Sequence, residues 1–541
     1  MAAPIACGAD LSDHLIVLRP GPGRRVFVSW VATAALIALT LWPAAASGHS
    51  SREGVAVLPL AGSLDPSFGD GGVVTRSLGS GEDPFIGAIA VQPDGKIIVA
   101  GGSPPGDHGL LLARYLRDGS LDPSFGDGGY VETPYKGTWA FGHAIALEPH
   151  GRIVVAGASY QGDYQGDDQV LSEFTLARYN SDGSLDTSFG TDGITDTVIP
   201  EQQQPNACAP YSSATVNALA VLPSGDILAA GGSEWNDGCD SHSPTYSSFA
   251  LARYTSSGSL DPTFGNAGIA QTTSHAAIGV GLAVQPNGEV VASEGNALDG
   301  YTANGSLDIA FNLDPKLQSV DAVTLQNGNI VVAGLSPAKH RAAHSLVVAR
   351  YKPSGRLDST FGTHGQVEIK RVKGLLPSAI LAQSDGKLVI TATGADATPL
   401  GPADLVRLRP NGRLDTSFGS GGIVSFSHQV WYALALQTDG KILLGGTTGG
   451  IVPGGTGGKW TLSRVVGGDN CVVPAVRRET VSKARATLKA SYCRTGRISR
   501  KFSNSVARGR VITTVPLPGD RRPAGTTIHL IVSRGKPVHR S

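Results

Sequence analysis

Two charged residue types recur at fixed places along this chain. Arg114, Arg178, Arg253, Arg350, Arg407 and Arg464 each close an apolar run, and Asp65, Asp122, Asp186, Asp261, Asp308, Asp358 and Asp415 each follow a leucine. A guanidinium is a planar fork of donors that matches a carboxylate, so the two sets could line a ligand site or pair with each other. Catalysis needs one site, whereas a residue present in every repeat is needed by every repeat. The pattern therefore predicts structural Arg–Asp pairs, with each Asp also accepting turn-backbone hydrogen bonds. No Gly-x-Ser-x-Gly, His-Glu-x-x-His or phosphate-binding loop occurs, and the 13 histidines are scattered. Asp163, Asp167 and Asp168 gather oxygens of the kind Ca²⁺ takes, but without the order of an EF-hand loop. An acidic, solvated loop is the preferred account, and no resident cofactor is expected.

The elements that carry these charges repeat as well. Leu-Asp-x-x-Phe occurs seven times, ending at Phe68, Phe125, Phe189, Phe264, Phe311, Phe361 and Phe418, and Gly follows in all copies except the fifth, which has Asn312. A period of this size signals a propeller or solenoid. Within each period lies a hairpin, clearest in residues 88–102, where apolar alternation flanks Asp94-Gly95 and the glycine supplies the positive φ of a tight turn. A third strand, Leu110 to Tyr115, and a fourth, Gly129 to Glu132, complete the unit. Four strands, seven times, without an intervening helix, predict an all-β seven-bladed propeller of four-stranded antiparallel blades over residues 62–466. The chain opens on a lone fourth strand, Gly72 to Arg76, and its last three strands lack a fourth. Pairing Val73–Arg76 with Trp460–Val465 closes the ring and hides an edge that invites aggregation.

Function is expected where the repeat is broken. Strands alternate in direction, so the Asp-Gly hairpins and Leu-Asp turns share one face and stay short. The opposite face receives insertions at 133–142, 159–173, 197–215 and 233–247. These carry Tyr135, and the candidate ligand-binding residues Trp139, Tyr160, Tyr164, Tyr211, Trp235 and Tyr246. Aromatics on loops of a rigid scaffold form a usual recognition surface, although they could also simply cover the blade rims.

Arg24-Arg25 precede an apolar run from Val26 to Trp42 and then Pro43-Ala44-Ala45-Ala46. This fits a signal peptide over 1–46, cleaved after Ala46 and followed by a linker over 47–61; Val17 is a candidate true start. Seventeen residues are short for a membrane span, so no membrane association is expected after cleavage. Cysteine usage agrees with export: Cys208, Cys239, Cys471 and Cys493 remain, with no zinc spacing. Four thiols allow three pairings, and their placement favours Cys208–Cys239 and Cys471–Cys493. Net charge is zero, yet residues 471–541 hold 16 Lys/Arg against 2 acids, while 51–470 hold 25 against 40. A basic tail on an acidic body suits a polyanion, or else a solvated basic surface. No nucleic-acid partner is expected.

The paired signatures, Leu-Asp-x-x-Phe-Gly with Gln92-Pro93-Asp94-Gly95-Lys96, resemble the delta-60-repeat β-propeller family, a resemblance that implies a fold and no activity. After Gly467-Gly468 the texture changes. Thr480 is an N-cap for a helix over Val481 to Ala490, with Val481, Ala484 and Leu488 on the buried face. Strands are expected near Arg510–Val515 and Thr527–Ser533. Val473-Pro474, this helix, Pro516-Leu517-Pro518-Gly519, Pro523-Ala524-Gly525-Thr526 and a closing Val532-Ser533-Arg534-Gly535 resemble a PASTA domain, a small α+β module over 471–536. The resemblance implies association with peptidoglycan. The combined expectation is an exported, wall-associated, non-enzymatic binding protein, secreted or held at the cell wall. Its C-terminal domain would meet peptidoglycan or an anionic wall polymer, and its propeller loops a glycan or protein. The alternatives are a hydrolase or lyase acting on an extracellular polymer, and a purely structural surface protein.

Overall fold

In this computed structural model the described residues run from 60 to 537, without 78–83, 103–108, 136–139, 162–170, 201–210, 237–245, 275–280, 294, 312, 338–343, 395–401, 449–457, 468–470, 492 and 523–525. They lie in one compact unit, Val57–Ser541. The body is all-β, as in a β-propeller. Five sheets are four-stranded and antiparallel, and an eight-stranded one consists of two more such units. The first unit pairs Phe85–Val91, Ile97–Gly102, Leu110–Tyr115 and Tyr130–Thr133 in chain order, and later units repeat that order. Strand ends are set by the turn glycines: Gly95 has φ 87° and Gly440 φ 85°.

The last unit contains Gln429–Leu436, Ile442–Thr448 and Lys459–Val465, and its outer strand is Val73–Arg76, with Val73 opposite Ser463 and Arg76 opposite Trp460. The N-terminal strand thus completes the C-terminal sheet, as the phase of the repeats predicts. The first strand of each unit packs on the first strand of the next, and the last returns to Phe85–Val91. Apolar clusters fill the spaces between units; one joins Phe68, Ile86, Val99 and Tyr115 to Leu443, Trp460 and Leu462.

The fourth unit departs from the pattern. Its outer strand is Leu307–Ala310, the motif itself, which elsewhere is a turn. Ile309 stands where other copies have Pro, Ser or Thr, and no glycine follows Phe311, so the local chemistry favours strand over turn. The motif phenylalanines are buried throughout, as expected of packing between units.

The C-terminal module has its own core: Val473, Val476, Ala484, Leu488, Val511, Ile528, Leu530 and Val532 surround a Cys471–Cys493 disulfide. The helix spans Val481–Ala490, and Thr480 accepts from the Lys483 N–H at 3.2 Å. Thr527–Ser533 is the central strand of three, between Val511–Val515 and Arg494–Lys501. The last of these runs parallel to it and has no apolar alternation, which is why its sequence gives no strand signal. Among the described residues no helix is long and apolar enough to cross a membrane.

Candidate functional site

The recurring charges form pairs in every unit but the fourth. Arg114 Nε donates to Asp122 at 2.8 Å, and the same contact joins Arg178 to Asp186, Arg350 to Asp358 and Arg464 to Asp65. Arg253 reaches Asp261 at 2.7 Å and Arg407 reaches Asp415 at 2.9 Å. The second carboxylate oxygen accepts from the Ser or Thr two residues on, as Ser124 does to Asp122 at 2.7 Å. Burial alone would raise the Asp122 pKa, but hydrogen bonds from Lys96 and Ser124 and the Arg114 charge outweigh it and hold the carboxyl well below its ordinary range.

Each guanidinium also reaches into the next unit. Arg178 donates to Ser256 O at 2.5 Å, Arg253 to Ala303 O at 2.6 Å and Arg350 to Pro410 O at 2.7 Å, while Arg114, Arg407 and Arg464 reach Ser181, Gly467 and Arg117 likewise. The guanidinium lies 4.2–4.8 Å from the centre of the motif phenylalanine ring in the six units. The glycine after that phenylalanine adds a backbone bond to the next unit, Gly126 N–H to Asp182 O at 2.8 Å. With φ 52° and Tyr130 O 1.9 Å from where a Cβ would sit, only glycine fits there. These residues clasp unit to unit. The fourth unit has Gly300 at the arginine position, and its Asp308 is exposed.

On the insertion face the strands run further than the sequence suggests. Tyr160 lies in Ile153–Gln161, Tyr211 opens Tyr211–Val221, Trp235 lies in Ile227–Asn236 and Tyr246 opens Tyr246–Tyr254. All four were expected on loops; their backbones are instead in β-ladders. Trp235 is registered with Ser212 on one side and Tyr246 on the other, and Tyr160 with Ser172. Continued pairing satisfies backbone donors and acceptors that a loop would leave to water. Hydroxyls support these extensions: Ser233 and Ser248 meet at 2.9 Å and Thr175 donates to Ser159 at 2.8 Å. A single parallel pairing, Ser212 with Leu171, joins the second and third units into the eight-stranded sheet. Tyr135, expected to be exposed, is buried in the core between the first two units, because its ring fills space beside Ala140 and Tyr179. Trp139, Tyr164, Cys208, Cys239, Asp163, Asp167 and Asp168 lie outside the described residues. Among the described residues no group of three or more His, Cys, Asp or Glu could hold a metal ion.

The C-terminal module presents the second candidate surface. Arg494, Arg497, Arg500 and Lys501 are exposed along one strand. Backbone bonds gather further cations at its end: Arg534 N–H to Lys501 O at 2.8 Å, Ser503 N–H to Gly535 O at 3.0 Å and Ser533 N–H to Arg510 O at 2.8 Å. Arg508, Arg510, Arg534 and Lys536, on the segments these bonds join, are exposed, as is Phe502, whose ring centre is 5.8 Å from the Arg534 guanidinium. The module's two acids are engaged elsewhere, Glu479 by Lys483 and Asp520 by Arg522. The patch is net cationic with an apolar centre. The missing sequence signal was spatial: residues 501, 510 and 534 are brought together only by the sheet.

Residues 472–534 match the PASTA domain family, and residues 92–125, 148–189, 222–264 and 383–418 match a β-propeller domain of unknown function, DUF5122. The chain thus carries a C-terminal PASTA domain behind a central region that matches the DUF5122 β-propeller family. A probable serine/threonine-protein kinase of Clostridium acetobutylicum is 38% identical over 60 residues, 11% of this chain and 9% of the kinase, so this chain spans under a tenth of that relative. Similar solved structures include a protein of unknown function from Dyadobacter fermentans, 11% identical with a TM-score of 0.38, covering 74% of this chain and 100% of that one. Another is the PQQ-bound aldose sugar dehydrogenase of Streptomyces coelicolor, 13% identical with a TM-score of 0.28, covering 72% and 98%. The PASTA domain of this propeller protein points to a cell-wall or peptidoglycan-related role.

Proposed function

We propose that this is an exported, non-enzymatic binding protein held at the cell wall. The PASTA domain, residues 471–536, is the anchor, and the propeller, residues 62–466, presents a recognition face to a glycan or protein. The propeller is a ring of seven blades; the cyclic packing of first strands and the Arg clasps between consecutive blades support that count. Export rests on the segment 1–46 and its small residues at Ala44 and Ala46. The observation that carries the anchoring role is the cationic patch around Phe502 on a domain of the PASTA family. Such a patch meets an anionic wall polymer through many weak, screened contacts and peptidoglycan through shaped ones. The recognition surface is the insertion face, where the strand extensions carry Tyr160, Tyr211, Trp235 and Tyr246 and the adjoining segments carry Trp139 and Tyr164.

A sedimentation assay with purified walls tests the reading. The full chain should bind, and a chain ending at residue 470 should not. Stripping walls of anionic polymer separates the two anchoring modes: binding that survives about 1 M salt and stripping belongs to peptidoglycan, and binding lost to both belongs to the polymer. Retention of the chain ending at 470 at full strength would refute the proposed anchor.

A further inference from the structure

The clasp positions hold the same residues in six blades, but another position differs in each of six blades where it is described. In the first strand of several blades one residue is skipped by the ladder, which shifts register between Ile86 and Ala88, Gly142 and Ala144, Val216 and Ala218, Pro377 and Ala379, and Trp431 and Ala433. The skipped residues are Gly87, His143, Asn217, Ser378 and Tyr432; in the fifth blade Asp321 stands at the same height, just ahead of the ladder. A bulge re-aims its side chain away from the ladder. Apart from the single Ser212–Leu171 pairing of the third blade, the first strands are paired among the described residues only with the second strand of their own blade, and they pack on one another in a cycle around the axis. Six different residues at one height are a set that the fold itself does not dictate.

Two of these positions, His143 and Tyr432, form an aromatic shelf with Phe85, which lies two residues before the third, Gly87. The Phe85 ring lies 5.7 Å from His143 in the second blade and 5.7 Å from Tyr432 in the seventh, and Phe141 is also 5.7 Å away. Gly87 makes this possible, because a Cβ there would meet Gly142 O at 2.4 Å and crowd the Phe85 ring at 3.3 Å. Phe85, His143 and Tyr432 are half-buried and Phe141 is buried, so the first three keep accessible surface and Phe141 backs them. Burial pushes the His143 pKa down to about 4 and the Tyr432 phenol up to about 12, so both rings are neutral near pH 7. Phe85 opens its strand, at the end away from the Asp94-Gly95 turn, which places the shelf on the insertion face.

We propose that this axial mouth, floored by Phe85 between His143 and Tyr432, binds a neutral saccharide ring. A pyranose has an apolar C–H face that suits the negative face of an aromatic ring, and a rim of hydroxyls that suits the imidazole and phenol. A charged ligand fits less well. The shelf is neutral, and residues 51–470 carry 40 acids against 25 Lys/Arg, which repels anions. This inference rests on the reading that the propeller is the recognising part.

The test is calorimetric titration of the full chain with maltohexaose, cellohexaose, the N-acetylglucosamine hexamer and, as the anionic comparison, a galacturonate hexamer. At least one neutral hexamer should bind, with affinity unchanged within about twofold between roughly 0.05 and 0.5 M salt. Phe85→Leu and Tyr432→Leu, which keep apolar volume without a ring, should each weaken it by about tenfold or more. Tyr432→Phe, which keeps the ring, should lose less and shows that the blade still folds. Binding by none of the neutral hexamers, or leucine variants with wild-type affinity, would overturn the proposal. Leucine variants that bind normally while trimming of 237–245 abolishes binding would overturn this site and leave propeller recognition standing. Saccharide binding that disappears when the chain ends at residue 470 would overturn both.

Discussion

The clasp that closes the ring offers the sharpest test of the architecture. Arg464 and Asp65 are far apart in sequence yet meet at 2.8 Å with side chains only 3% and 4% exposed. Arg464 also donates to Ser67 Oγ at 3.1 Å and to Arg117 O in the first blade, and stacks 4.4 Å from the Phe68 ring centre. Arg464→Met keeps most of the packing volume and removes the charge and donors. Breaking a buried pair by deleting one partner costs about 3–5 kcal/mol, and a carbonyl left without its donor adds about 1 kcal/mol. Lys441, 3.2 Å from Asp65, offsets part of this by remaining beside the stranded carboxylate. The expected loss is about 3–4 kcal/mol at pH 7. Urea unfolding followed by tryptophan fluorescence reads it directly, since Trp431 and Trp460 are buried in the blade that the clasp closes. Burial opposes the shift, but Arg464 and Lys441 hold the Asp65 pKa below its ordinary 3.8. A depressed acid contributes stability above its unfolded pKa and loses it as pH falls through the folded one. The gap between wild type and variant should therefore narrow below pH 3.8. A loss under about 1 kcal/mol, the size of an exposed pair, would refute the reasoning.

Other consequences are simpler. Cys493→Ala opens a loop spanning a separation of 22 residues and should lower the stability of the PASTA domain by about 3 kcal/mol, seen as an earlier melting step under non-reducing conditions; an unchanged melt would count against the bridge. His143, lowered from 6.5 to about 4 by burial, makes the fold lose stability as pH drops below 6.5, because the unfolded chain takes the proton first. Asp321, raised from 3.8 to about 6 by burial, works the other way, with stability lost as pH rises from 3.8 through 6. His143→Asn and Asp321→Asn should each remove one slope from the melting-temperature profile, and a profile that neither variant alters would refute both assignments. In the fourth blade, where Gly300 replaces the clasp arginine and strands are only four residues long, amide exchange over 298–310 should be the fastest among the blades; protection equal to that of 345–351 would show that the clasps add little.

The repeat, the turn glycines, the Arg–Asp pairing, the closing strand and the capped PASTA helix were all legible in the sequence. Each depends on residues a few positions apart or on one pattern repeated in phase, so a periodic argument reaches it. What only the tertiary structure decided are the contacts between units, which no local period encodes. Arg178 pairs with Asp186 within its own blade, but that it also reaches Ser256 O follows from how blades stack. Tyr135 resembles the aromatics of the other insertions, and only the space between two blades buries it. The strands carrying Trp235 and Tyr246 run past the blade because pairing there satisfies backbone groups, which no count of insertion length reveals. The aromatic shelf is the extreme case. Phe85, His143 and Tyr432 come from the first strands of three units, and they meet because the last unit packs against the first.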